Sequence, residues 1–97
     1  DHGFDGHQFI VGLSEHYRNL LICKDVKTIE LLEVADSIKS KYAEQSAKID
    51  VQHILRALGV LSKSDTDYKA AKNSRLLVEL ALMQLCSIKS EFEKKKV

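Results

Sequence analysis

The sequence predicts an all-α fold, a compact bundle of about four to five helices. The chain contains no proline and only four glycines, so it has few residues that interrupt helices. No segment alternates apolar and polar residues between turn-forming dipeptides, as strands and hairpins do. Along most of the chain, apolar residues instead recur at intervals of three and four, which is the spacing of an amphipathic helix.

Length and composition indicate one small globular domain. A chain of 97 residues forms at most one domain, and it buries roughly 60–65% of the surface that its unfolded form exposes. Lys and Arg total 15 against 14 Asp and Glu, a net charge of +1, which argues against a surface dedicated to nucleic acid or anionic membrane. No apolar run reaches the ~18–20 residues that a membrane-spanning helix needs.

The first helix is predicted to begin at Asp5 and to end near Cys23. An Asp N-cap with Gln8 three residues later is a variant of the capping box. The apolar residues of this segment recur at three- and four-residue steps and so share one helix face. They are Phe9, Ile10, Leu13, Tyr17, Leu20 and Leu21.

Residues 26–34 are predicted to form a short helical turn or an irregular connector. A helix then runs to about Ala47, with Asp36 or Ser37 as its N-cap. It has few apolar residues, namely Ile38, Tyr42 and Ala43, so we expect it to lie on the outside of the bundle.

A fourth helix is predicted from its N-cap Asp50 to about Tyr68. Ile49 and Ile54 flank the cap in the arrangement of a hydrophobic staple. Gly59 costs about 1 kcal/mol relative to Ala inside a helix, and we interpret it as a point where a neighbouring helix approaches closely. The cleanest amphipathic face of the chain lies here and comprises Val51, Ile54, Leu55, Leu58 and Leu61.

Residues 73–88 are expected to organise the domain. After a loop at 69–72, Asn73 or Ser74 caps a helix that is apolar nearly all round and therefore needs cover on most sides. It is either the central strut of the domain or a strut shared between chains. Residues 89–97 extend it as a charged helical tail, whose Lys run suits a helix C-terminus.

The sequence offers no catalytic, cofactor-binding or metal site. No glycine opens a phosphate-binding loop, and no nucleophile, base and orienting group converge. Cys23 and Cys86 lie in apolar helical runs, which predicts reduced thiols and a cytosolic protein. The four histidines lack the i, i+4 spacing of metal ligands, so we interpret them as surface or capping residues: His2, His7, His16 and His53.

Residues 36–62 permit a second interpretation, a helix-turn-helix in a small nucleic-acid-binding domain. The second helix of that motif offers Arg56 and Lys63, but it begins with Asp50. Phosphate binding usually needs several Lys or Arg on one face. Ordinary core helices are therefore the preferred interpretation, and duplex affinity that falls steeply with salt is the test of the alternative.

Three stretches of the chain resemble a known family. Residues 4–21 and 42–46 are similar to segments of the third domain of the bacterial DNA polymerase III gamma/tau subunit. The strongest similarity is Tyr68-Lys69 followed by residues 72–85, where an Asn-x-Arg-Leu…Glu…Leu pattern closes that domain. The resemblance covers essentially residues 4–88, and the order of caps and charged interruptions agrees along the chain.

The resemblance implies an oligomerisation module in a bacterial, cytoplasmic clamp loader. Two N-terminal AAA+ domains of such a subunit bind and hydrolyse ATP, and helical collar domains then join into a ring that loads the sliding clamp in DNA replication. Residues 1–97 would be a single collar-domain fragment that lacks one or more preceding helices. Its implied partners are other clamp-loader subunits, in homo- and hetero-oligomers, without direct contact to nucleic acid, membrane or small molecules. If the helix at 73–88 lay loose on the outside, with most of its circumference exposed to solvent, the collar assignment would lose its physical basis.

The resemblance also implies that the fragment is not itself an enzyme. ATP, Mg and Zn, with the arginine finger and the zinc-binding cysteines, belong to the upstream domains of the parent, an ATP-hydrolysing subunit of the polymerase III holoenzyme. Within this chain, Glu79 and Arg75 can pair along the helix or reach a partner subunit. The candidates for subunit interface or core are Arg75, Leu76, Glu79, Leu80, Leu82 and Met83, and the pattern does not separate the two roles.

Overall fold

The structure, a computed structural model, describes residues 5–94 as five helices. No strand occurs in this part of the chain, so the all-α prediction is confirmed. His2 and the start of the first similar stretch lie outside the described residues. The helices are α1 (Gly6–Ile22), α2 (Val26–Ile29), α3 (Asp36–Ala47), α4 (Val51–Tyr68) and α5 (Ser74–Lys94).

Side-chain caps fix the starts of the three long helices where the sequence predicted them. The Asp5 carboxylate accepts hydrogen bonds from the backbone N–H groups of His7 and Gln8. Asp50 accepts from the N–H of Gln52 at 2.7 Å, and the Asn73 side-chain oxygen accepts from the N–H of residue 76 at 3.0 Å. Such caps typically contribute about 1 kcal/mol each.

Helix α3 begins differently from the prediction. Its N-cap is Ala35, which makes no side-chain cap bond, so neither Asp36 nor Ser37 has the expected role. Asp36 instead lies in the first turn, where a negative charge interacts favourably with the helix dipole. The expected peripheral position is confirmed, because the buried residue of α3 is Ser46, whose hydroxyl donates to the Leu20 carbonyl at 2.8 Å.

Helix α4 is the central helix of the domain. It packs against α1 and against α5, and α1 also contacts α5, so the three long helices share one core. Helix α3 packs against α1 at the side of this core. Ile54, Ala57 and Leu61 on α4 are fully buried. Of the two alternatives for residues 73–88, the central strut of the domain is therefore wrong, and a strut shared between chains stays a prediction. Helix α4 buries small and polar residues as well as apolar ones. A count of apolar residues does not detect such buried positions.

One apolar cluster holds the three long helices together. Its buried members are Ile10, Ala57, Leu61, Val78 and Leu85, with Leu13, Tyr17, Val60 and Tyr68 packed around them. The predicted apolar face of α4 is correct only in part, because Val51 and Leu55 remain 39% and 45% exposed.

The C-terminal end of α5 is fastened to the start of α4. The Phe92 ring stacks on the His53 ring, with centroids 5.4 Å apart and planes at 20°. Arg56 Nη1 donates to Glu91 Oε2 at 2.6 Å. His53 is buried, so its interpretation as a surface or capping residue is wrong. The predicted charged tail belongs to the packed helix up to Lys94, and the rest of its Lys run lies outside the described residues.

Replacing Phe92 tests this attachment. Phe92→Ala removes a half-buried ring from the His53 stack, so we expect a loss of roughly 1–3 kcal/mol in the free energy of unfolding, less than for a fully buried Phe. Glu91→Ala is the comparison, since its pair with Arg56 is almost half exposed and such pairs contribute about 1 kcal/mol at most. Urea denaturation followed by circular dichroism measures both. Equal losses would contradict the importance of the stack.

Gly59 lies on an exposed side of α4. A Cβ atom built on it would have no neighbour within 4 Å, and the same holds for Gly12 on α1. No helix of this chain therefore approaches Gly59 closely, and the prediction of a close approach is wrong within the domain. Both glycines lie in helix interiors without a steric reason in the structure.

Replacing these glycines tests that description. Gly59→Ala should raise the free energy of unfolding by up to about 1 kcal/mol, because Ala loses less backbone entropy in a helix. Gly12→Ala is the matched control and should have a similar effect. Chemical denaturation of the two variants measures it. A destabilised Gly59→Ala beside a stabilised Gly12→Ala would reveal a neighbour at residue 59.

Candidate functional site

Helix α5 is covered on one side only. Its buried residues, Val78, Ala81, Leu85 and Ile88, are spaced by three and four and face the rest of the bundle. Most other positions of the helix are exposed. The expected cover on most sides is absent within residues 5–94, where most of the circumference of α5 is exposed, although the helix is anchored along its length by these four residues and by Phe92. Further cover would come either from parts of the subunit outside these residues or from another molecule.

A second apolar stripe lies on the opposite side of α5. Leu76, Leu80 and Met83 are 48%, 45% and 65% exposed. At about 100° per residue they fall within roughly 60° of one another, on the side opposite the buried stripe. We call these three residues the α5 outer stripe. Single exposed apolar side chains are ordinary, but aligned ones form a surface suited to association.

The structure places all six predicted interface-or-core candidates outside the core. Arg75, Leu76, Glu79, Leu80, Leu82 and Met83 are each exposed and do not belong to the buried core of residues 5–94. Their role at a subunit interface stays a prediction. Leu82, at 36% exposure, lies at the rim and lines a cavity with Gly6 and Tyr68. The core residues of α5 lie on the buried stripe on the opposite side of the helix. Apolar composition alone does not distinguish this stripe from the outer one.

Arg75 and Glu79 pair along the helix, as the spacing predicted. Arg75 Nε lies 3.6 Å from Glu79 Oε2, and the side chains are 87% and 55% exposed. An ion pair this exposed contributes little to stability. Both groups therefore remain accessible beside the outer stripe.

Metal-binding groups and the two shifted titratable side chains bear on possible catalysis in residues 5–94. This part of the chain holds no group of three His, Cys, Asp or Glu side chains placed to bind a metal ion. Burial raises the pKa of the Cys23 thiol, which keeps it protonated and weakens it as a nucleophile. Burial, and secondarily the nearby Cys86, raises the pKa of Tyr17. Neither group is activated for chemistry near neutral pH.

Helix α4 offers little free positive charge for a nucleic acid. Arg56 pairs with Glu91, and Lys63 Nζ lies 2.9 Å from Asp67 Oδ2. These acidic partners offset the two charges on which the helix-turn-helix interpretation depends. The alternative of a small DNA-binding domain remains an untested prediction without support in this geometry.

Within the described part of the chain, none of the helices combines the length and hydropathy that crossing a bilayer would require.

Comparison with protein families decides the relationship of this domain. The family model for DNA polymerase III subunits gamma and tau domain III matches residues 1–97. The chain belongs to this family. It is therefore a domain of a clamp-loader subunit, and the resemblance identified from residues 4–88 is confirmed. Neither the curated proteins nor the solved structures gave a significant match to the chain.

The two cysteines of this gamma/tau domain differ in accessibility. Both are free thiols, Cys23 buried and Cys86 exposed on α5. Cys86 should therefore react with a chromogenic disulfide reagent in the native protein. Cys23 should react at least about tenfold more slowly, because burial limits access and raises the pKa of its thiol, and the thiolate is the reactive form. Absorbance against time measures both rates. Cys86→Ser should abolish the fast phase and Cys23→Ser should preserve it; the reverse result would contradict the structure.

Proposed function

We propose that this domain joins clamp-loader subunits to one another through the outer face of α5. In this role it is the collar module that holds AAA+ ATPase subunits in a ring for sliding-clamp loading in DNA replication. It has no catalysis of its own, and ATP, Mg and Zn belong to other domains of the subunit. The bacterial cytoplasm is the compartment we infer, in keeping with two free thiols.

The exposed α5 outer stripe is the observation that supports this proposal. Its three side chains lie opposite the buried stripe and outside the buried core, and they remain about half exposed. Exposed, aligned apolar side chains are typical of association surfaces. In a domain of the gamma/tau family, another subunit is the partner that we infer for this surface.

The energy available from this stripe is sufficient to matter. Full burial of a Leu or Met side chain stabilises by about 1.5–3 kcal/mol. Since the three side chains are roughly half exposed, each would add about 1 kcal/mol on association. A few central apolar anchors usually dominate an interface, while rim charges such as Arg75 and Glu79 contribute less.

Leu80→Asp in the intact subunit tests the proposal. A carboxylate in the middle of the stripe would have to be buried without a partner, so we expect association to weaken by at least about tenfold. Leu55→Asp is the matched control, because Leu55 is equally exposed at 45% but lies on α4. Size-exclusion chromatography with light scattering measures the oligomer. Leu82→Asp, at the rim, should have a smaller effect.

Two results would count against the α5 face. An undiminished oligomer of Leu80→Asp, with a native circular dichroism spectrum, would exclude the outer stripe as a contact. Equal dissociation by Leu55→Asp would show that the added charge, and not its place on α5, is responsible.

A further inference from the structure

The segment between α1 and α3 also exposes apolar side chains. Four of them fall within the segment that joins α1 to α3 and in the first turn of α3. We call this set the connector patch: Val26, Leu31, Val34 and Ile38, which are 79%, 68%, 36% and 44% exposed. Neighbouring Leu32 is buried, so the segment is attached to the bundle while these four side chains face outward.

The connector patch and the α5 outer stripe lie on different surfaces of the domain, here called its two edges. Helix α3 packs against α1, whereas α5 packs chiefly against α4 and less extensively against α1. The domain measures 42 × 35 × 20 Å. The outer stripe faces away from α4 at one edge, and the connector patch borders the α3 edge.

The two edges carry opposite charge. Three basic residues, Lys69, Lys72 and Arg75, precede or open α5, and all are exposed. The connector patch is interleaved with three exposed acidic residues, Glu30, Glu33 and Asp36. Of these six residues, Arg75 is in an ion pair, with Glu79. The other five are in none of the ion pairs found among residues 5–94. Lys27 and Lys39 flank the acidic run without interrupting it.

We propose that the α5 outer stripe of one copy docks on the connector patch of a second copy, with residues 69–75 facing residues 30–36. The proposal rests on the proposed function and specifies its geometry. Apolar side chains meet in the centre of this contact, and charges of opposite sign meet at its rim, as complementary interfaces require. Pairing of the stripe with itself would leave the connector patch exposed.

A contact between two different edges has a consequence for assembly. Each copy offers one edge of each kind, so every added copy presents the same pair of edges again. Such heterologous contacts close into a ring when the rotation between neighbours permits it.

Charge reversal with rescue tests the pairing in the intact subunit. The loop variant is Lys69→Glu/Lys72→Glu and the connector variant is Glu30→Lys/Glu33→Lys. At low ionic strength, each should weaken association by about tenfold or more, because like charges then face each other. The variant with all four changes should recover association to within about threefold of wild type, since the charges again match. Sedimentation equilibrium measures the association constants.

The outcomes separate this inference from the proposed function. If Leu80→Asp dissociates the subunit but the connector variant associates normally, the outer stripe is a contact and the proposed pairing is wrong. The pairing would also be wrong if the variant with all four changes lost as much association free energy as the loop and connector variants lose together. If the intact subunit associates regardless of Leu80→Asp, the proposed function itself fails, and the pairing fails with it.

Site-directed cross-linking gives a second readout that does not depend on charge. In a Cys86→Ser background, Glu33→Cys subunits are mixed with Lys72→Cys subunits and treated with a short bismaleimide. A cross-linked dimer should form in the mixture and not with either variant alone. Absence of the mixed dimer, with both variants folded and associated, would exclude the contact between residues 30–36 and 69–75.

Discussion

The domain depends on the packing of two helices against α4. Ala57 and Leu61 on α4 join Ile10 of α1 and residues of α5 in one buried cluster. Ala57 is fully buried, and its small side chain permits neighbouring helices to approach the same part of α4. Helix α1 packs against α3, α4 and α5, whereas α5 buries a single stripe against α4 and α1. The outward face of α5 is a direct result.

Local features of the fold could be predicted from the sequence. Asp5, Asp50 and Asn73 act as caps where predicted, because an N-cap side chain bonds only to backbone groups two or three residues away. The order and approximate limits of the helices follow from such caps and from apolar spacing. The predicted caps of α3 were wrong. Its N-cap residue is Ala35, which makes no side-chain cap bond, so no local capping signal marks the start of this helix.

Features that depend on tertiary packing could not be predicted in the same way. Apolar composition shows that residues 73–88 need cover, but it does not show which chain supplies that cover. The six candidates on α5 were therefore assigned correctly to one helix, yet their position outside the core required the structure. His53 illustrates the same limit, because its ring packs against Phe92 and Tyr17, which are 39 and 36 positions away and which no local pattern connects to it.

Cys86 is a natural attachment site for a dye close to the α5 outer stripe. The thiol is exposed and lies three positions beyond Met83 on the same helix. A dye attached there would sit beside the outer stripe without any engineered residue, so its emission or anisotropy would report when that flank of α5 becomes covered. Within this domain such a label would be specific to Cys86, because the buried Cys23 stays unlabelled.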